Sequence, residues 1–171
     1  MKAIFVDAKK CLSCHSCELA CSVAHSESKN LYAAISEAFP KRPRVHVEAV
    51  PGGAFPIQCR HCEDPVCVKT CVSNALFVDE DSGAVLHDEG RCIGCRMCIL
   101  ACPFGVIEEQ EAGGNSCAVS KCDLCAAEPG GPACIAACPT GALSFESAEA
   151  YSKDKRRKYL IQFIEEEVQH V

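Results

Sequence analysis

Apolar residues fall along the chain in short runs broken by polar turns. Ile4-Phe5-Val6-Asp7 reads as an incoming strand. Leu31, Ala34, Ile35 and Ala38 recur at helical spacing, and Phe39-Pro40 stops that helix. Arg44 to Val50 alternates, Pro51-Gly52-Gly53 turns, and Ala54 to Ile57 returns, which predicts a β-hairpin. A second hairpin is expected from Ala75 to Asp79 and Ala84 to Asp88 around Ser82-Gly83. Ala142 to Glu146 repeats its outgoing pattern. From Ala148 the period becomes helical, with Tyr159, Leu160, Phe163, Ile164 and Val168 on one face. The mostly basic stretch 153–158 and the acidic Glu165-Glu166-Glu167 oppose the helix dipole. The tail is either a solvated helix packed back on the domain or a docking segment for another subunit.

Two strand layouts are open. The strand at 4–7 and that at 142–146 lack local partners, which favours the two ends of the chain pairing with each other. Alternatively, Gly105-Val106-Ile107 and Ala118-Val119, separated by Gly113-Gly114, form a further hairpin.

Composition changes the picture. Seventeen of the 171 residues are cysteine and none is tryptophan, so the organic core is thin and something other than side chains fills the interior. No stretch approaches the roughly 18 apolar residues of a membrane span. The start of the chain has no signal-peptide pattern, because Asp7, Lys9 and Lys10 interrupt it. A net charge of −6 argues against nucleic acid as a partner. The expected compartment is the cytoplasm, where thiols stay reduced, and an odd cysteine count does not suit a disulfide framework.

The cysteines form four groups: Cys11, Cys14, Cys17 and Cys21; Cys59, Cys62, Cys67 and Cys71; Cys92, Cys95, Cys98 and Cys102; and Cys122, Cys125, Cys134 and Cys138. Groups one and three have the x2, x2, x3 spacing that wraps a [4Fe–4S] cluster, and groups two and four lengthen one loop. In two-cluster ferredoxins the fourth cysteine reaches across to the other cluster, and the x3 step is expected to set it at the start of a helix. Sixteen cysteines in four such frames correspond to four [4Fe–4S] clusters. The competing metal is zinc in an interaction module, but three cysteines at x2, x2 strand one thiol in a zinc site. Cys117 stands outside the groups as a small buried residue or a redox thiol. His15, His25 and His61 lie in or near the loops and read as hydrogen-bonding or surface residues rather than ligands.

With these motifs the chain resembles the four-cluster ferredoxin-like subunits that serve molybdenum and tungsten oxidoreductases, formate dehydrogenases, hydrogenases and carbon monoxide dehydrogenases. The stretches Ala20 to Ser26, Pro40 to Val45 and Gln58 to Asp64 look most like the iron–sulfur protein paired with carbon monoxide dehydrogenase. The resemblance implies an α+β fold of two pseudo-symmetric bacterial-ferredoxin-like units in which group one pairs with four and two with three. The outer unit is 1–21 and 117–147, the insertion of helix and hairpin 22–58, the inner unit 59–116, and the C-terminal helix 148–171. The implied ligand sets are Cys11, Cys14, Cys17 with Cys138; Cys122, Cys125, Cys134 with Cys21; Cys59, Cys62, Cys67 with Cys102; and Cys92, Cys95, Cys98 with Cys71. Ser22 and Val72 replace the proline usual after the fourth cysteine in groups one and two, which leaves no ligand missing.

The loaded protein would carry a charge of about −14. Lys10, Arg60, Arg91, Arg96 and Lys121 stand beside ligands, either offsetting that charge or serving as ordinary surface residues. No nucleotide-binding motif or catalytic constellation is present, so the expected role is non-catalytic electron transfer in anaerobic metabolism. The expected partners are a large catalytic metalloenzyme subunit, with a flavin-containing or hydrogenase subunit or further copies of the chain as second neighbours, and neither nucleic acid nor an inserted membrane segment. A free polyferredoxin is the alternative.

Overall fold

The computed structural model describes residues 2–111 and 117–168, without the side chains of 117 and 165–168, so the readings of the Cys117 thiol and the Glu165 to Val168 side chains lie outside it. It is a small mixed helix and strand protein built on four antiparallel strand pairs. Strand β1 (Lys2–Val6) pairs with β8 (Leu143–Ser147), Ile4 facing Phe145, so the two ends of the chain do meet. Strands β2 (Val45–Val50) and β3 (Gly53–Gln58) form the insertion hairpin, and β4 (Leu76–Val78) and β5 (Val85–His87) the hairpin between groups two and three.

The further hairpin also exists, so the two layouts coexist. Its first strand is displaced: β6 spans Glu108–Glu111 and pairs with β7 (Cys117–Ser120). Val106 and Ile107 precede it and are buried, Ile107 in the core beside Leu76 and Val119. Burial, not strand pairing, accounts for the apolar signal there. The pairing falls on polar residues whose side chains are held individually, Glu109 by Arg96 and Gln110 by the Arg42 N–H.

Short helices connect the thiols. They are α1 (Ser16–His25), α2 (Leu31–Ile35), α3 (Val66–Lys69), α4 (Met97–Ala101), α5 (Ala133–Ala136) and α6 (Ala148–Val168). The fourth cysteine of a group does not open a helix. Instead α1, α3, α4 and α5 each begin at the residue before the third cysteine: Cys102 caps α4, Cys71 and Cys138 follow α3 and α5, and Cys21 lies inside α1. An x3 interval is about one helical turn, which lets one turn join the two thiols. Helix α2 stops at Ile35 rather than continuing to Ala38, because Glu37 turns back and accepts from the Ser28 N–H and hydroxyl.

Groups one and three share their local geometry. Asp7 and Asp88 each open a 3-10 turn and accept from an N–H two residues on, Lys9 at 3.2 Å and Gly90 at 2.9 Å. The Asp7 N–H donates to the Ala142 carbonyl and the Asp88 N–H to that of Ala75, both at 2.8 Å. These bonds tie loop one to the strand leaving group four, and loop three to the strand leaving group two.

Thiols make up much of the interior. One core gathers Ile4, Val45, Leu124 and Leu143 with Cys17, Cys21, Cys122 and Cys134. The other holds Leu76, Val85, Ile107 and Val119 with Cys98, bordered by Cys67, Cys71, Cys92 and Cys102. Helix α6 packs back through its first turn, where Tyr151 stacks on Phe5 with ring centroids 4.1 Å apart, and Asp154, Lys155 and Lys158 border a cavity against residues 6–10. Beyond it, residues 152–164 are exposed, Tyr159, Leu160, Phe163 and Ile164 among them. Among the described residues no helix is long and apolar enough to cross a membrane.

Candidate metal centres

The spacing of groups one and three works through left-handed backbone. Ser13 and His15 in the first loop, and Gly94 and Arg96 in the third, have φ between 54° and 66°. Such residues reverse the backbone between successive thiols. They are costly for a side-chain-bearing residue, so they mark a loop held open for a purpose. His61 in group two and Leu124 and Cys125 in group four do the same.

The structure brings cysteines of different groups together. Cys11, Cys14, Cys17 and Cys138 line one cavity, walled by Val47, Pro56 and Leu143. Cys71, Cys92, Cys95 and Cys98 line another with Leu76, His87 and Val119. Cys21 shares a core with Cys122 and Cys134, and Cys125 is buried in the same group-four loop. Cys67 feels both Cys59 and Cys102. Cys62 stands half-buried in the loop next to His61. All sixteen are free thiols with no disulfide among the described residues.

The donor set suits iron. Burial pushes the thiols of Cys17 and Cys98 up to about 11 and that of Cys134 to about 12, with Cys122 raised further still. Such thiols stay neutral in an apolar core and ionise only against a metal, which releases their protons. Cys71 and Cys138 differ: burial raises them, but backbone N–H groups and a neighbouring hydroxyl outweigh it and lower both. The N–H of Ala142 donates to Cys138 Sγ at 3.2 Å, that of Arg44 to Cys21 Sγ at 3.2 Å, and that of Leu124 to Cys122 Sγ at 3.4 Å. N–H bonds to sulfur are a main means of setting cluster potential. His61 adds a further fit. Its Nδ1 accepts from the Val85 N–H at 3.1 Å, so Nε2 carries the proton, and this buried N–H has no protein acceptor. A cluster sulfur beside Cys59 and Cys62 would supply one. His87 Nε2, on the wall of the cavity around Cys95, is orphaned likewise.

His25 is a hydrogen-bonding residue. Its Nδ1 donates to the Cys21 carbonyl at 2.8 Å and Nε2 to the Asp123 carboxylate at 3.1 Å. Both acceptors lack a proton to give, so the ring is an imidazolium. Burial lowers its pKa, but Asp123 and Cys21 overcome this and raise it to about 9. Arg44 Nη1 donates to the other Asp123 oxygen at 2.6 Å. Burial raises the Asp123 carboxyl, yet the two cations hold it well below the ordinary range. The ligand atoms of His25, Asp123 and Cys125 lie within 4.8 Å of one another, the spacing of a metal site. The ion pairs already occupy the two polar members. Sequence reasoning missed this network, because nothing marks Asp123 within a Cys-x2-Cys loop.

Thiols of all four groups drawn into shared cavities and buried cores, with N–H groups aimed at sulfur, define an iron–sulfur protein. The 4Fe-4S dicluster domain family matches residues 50–148, more than half the chain. The chain is 42% identical over 160 residues to an iron-sulfur protein of Rhodospirillum rubrum, covering 86% of this chain and 83% of that one. It is 39% identical over 175 residues to the electron transport protein HydN of Escherichia coli, covering 94% and 98%. With the B subunit of the anaerobic dimethyl sulfoxide reductase of Escherichia coli it shares 37% identity over 149 residues, covering 82% and 71%. The chain thus belongs to this 4Fe–4S dicluster family of electron-transfer proteins, and its role is non-catalytic.

Proposed function

We propose that the chain is the wiring subunit of an oxidoreductase complex. It holds four [4Fe–4S] clusters and relays single electrons between a larger catalytic redox subunit and a second donor or acceptor. The ligand sets are Cys11, Cys14, Cys17 with Cys138; Cys21 with Cys122, Cys125, Cys134; Cys59, Cys62, Cys67 with Cys102; and Cys71 with Cys92, Cys95, Cys98. The observation that carries this is the crossing of Cys138 into the cavity of group one and of Cys71 into that of group three. The shared Asp7 and Asp88 geometry supports two pseudo-symmetric units, an outer one of 1–21 and 117–147 and an inner one of 59–116.

Bound clusters supply reversible one-electron chemistry; the chain's residues position them, exclude water and set their charge environment. Cys14 and Cys95 are the two exposed ligands, which makes their clusters the candidates for electron entry and exit. The name of the dimethyl sulfoxide reductase subunit supports a larger catalytic partner. The motifs at 20–26, 40–45 and 58–64 favour carbon monoxide dehydrogenase or a tungsten or molybdenum aldehyde-type enzyme, in the cytoplasm, over other members of that class.

Anaerobic purification from the native cell tests the reading. A large metalloenzyme in fixed ratio, with about sixteen iron and sixteen sulfide on this chain, is the expected result. In such a complex, Cys71→Ser or Cys102→Ser spares partner turnover with artificial dyes and impairs transfer to the natural acceptor. A chain that elutes alone, brown and sulfide-rich, is a free carrier instead.

A further inference from the structure

Lys121 is 2% exposed, and no carboxylate pairs with it among the described residues. Asp88, Glu89 and Asp123 line a cavity with it, yet Asp123 is held by His25 and Arg44 and Asp88 by Arg91. The Lys121 Nζ donates instead to two carbonyls, those of Val85 and Cys122, the latter at 2.6 Å. The peptide N–H of the same Val85 donates to His61 in the loop of group two. One residue of β5 thus joins the lysine to the loops of groups two and four. The ammonium lies against the backbone of group four directly and against the loop of group two through Val85.

A buried cation without an anion carries a desolvation penalty that something nearby must offset. Carbonyl dipoles offset part of that cost, and the flanking thiolates of a bound cluster, whose four negative charges outweigh its cationic core, would supply the rest. We propose that Lys121 is a fixed positive charge placed between the second and fourth cysteine groups. There it raises the reduction potentials of the two clusters it separates and makes them the electron-holding middle of the path. This rests on the ligand sets proposed above. One electron arriving from the larger redox subunit adds one negative charge to a flanking cluster, breaks no bond and moves no proton. Lys121 lowers the cost of that added charge and releases the electron onward unchanged.

The test uses the full-length holoprotein. Iron and sulfide analysis comes first, and a wild type with fewer than four clusters overturns the ligand sets independently of Lys121. Reductive titration followed by electron paramagnetic resonance then reads the four one-electron steps in wild type, Lys121→Met and Lys121→Arg. In fully loaded Lys121→Met, two steps move to more negative potential by at least tenfold in the reduction equilibrium, which is 59 mV for one electron. Lys121→Arg keeps them near wild type, as no mere packing role would require. Four unmoved steps, or four steps shifted alike, overturn the proposal. If Lys121→Met fails to load while Lys121→Arg loads fully, the charge itself is required. If both fail, the site needs the shape of lysine rather than its charge, and the proposal falls.

Discussion

Ser13 and Gly94 occupy the same place in two equivalent loops, yet only one of them carries a side chain at positive φ. A side chain in that region costs on the order of 1–2 kcal/mol, partly offset by the entropy that glycine loses on folding. Ser13→Gly therefore raises holoprotein stability by about 0.5–1 kcal/mol, and Gly94→Ser lowers it by a similar amount. Anaerobic thermal melts of both variants read the pair, and shifts of the same sign would sink the argument. At the same scale, the His25 imidazolium gives a pH signature. Its folded pKa of about 9 lies above the ordinary 6.5, so its contribution is complete below pH 6.5 and is lost as pH rises through 9. Negative charge gathered at Cys21 pushes in the same direction. Wild type loses stability across that alkaline window, and His25→Gln, less stable at pH 6.5, shows a flatter profile when melts are recorded from pH 6 to 10.

Among the elements, α6 separates a docked turn from an undocked length. Tyr151→Ala removes the stacked pair with Phe5, worth about 0.5–1.5 kcal/mol beyond its buried area. It exposes the Lys153 and Lys155 bonds to trypsin faster than in wild type. Leu160→Glu, on an exposed turn, leaves the melting profile within about 0.5 kcal/mol. A large loss from Leu160→Glu would mean that the far turns pack on the isolated chain. Of the two readings of this tail, packing back describes its first turn. The elements most legible in the sequence were those with a strong period: the insertion hairpin, β4 with β5, and the terminal helix. The shift of β6 onto Glu108–Glu111 was not legible, because its apolar neighbours are buried outside the strand pairing.

For the whole molecule, the four cysteine groups were readable because ligand spacing is a local constraint written directly into the chain. The burial of Lys121 and the ion pairs of Asp123 were not. They arise where Arg44, from the insertion, and Val85, from the middle hairpin, arrive beside group four. Thiols are so large a share of both cores that metal and fold should be inseparable. Removal of iron by an anaerobic chelator is expected to abolish near-ultraviolet circular dichroism and cooperative unfolding together. A chelated chain that still melts cooperatively would show that the apolar residues suffice.

The antiparallel zip of β1 against β8 also dictates an order of birth. Loop one leaves the ribosome more than a hundred residues before the strand it must grip, whereas β4 and β5 meet within a few residues of synthesis. At ordinary translation speeds, roughly 5–20 residues per second, the nascent first loop waits on the order of ten seconds for its mate. The middle of the molecule can therefore mature while the chain is still being made. The ends cannot, and during that wait the earliest thiols are the ones most in need of a chaperone or an iron-delivery protein.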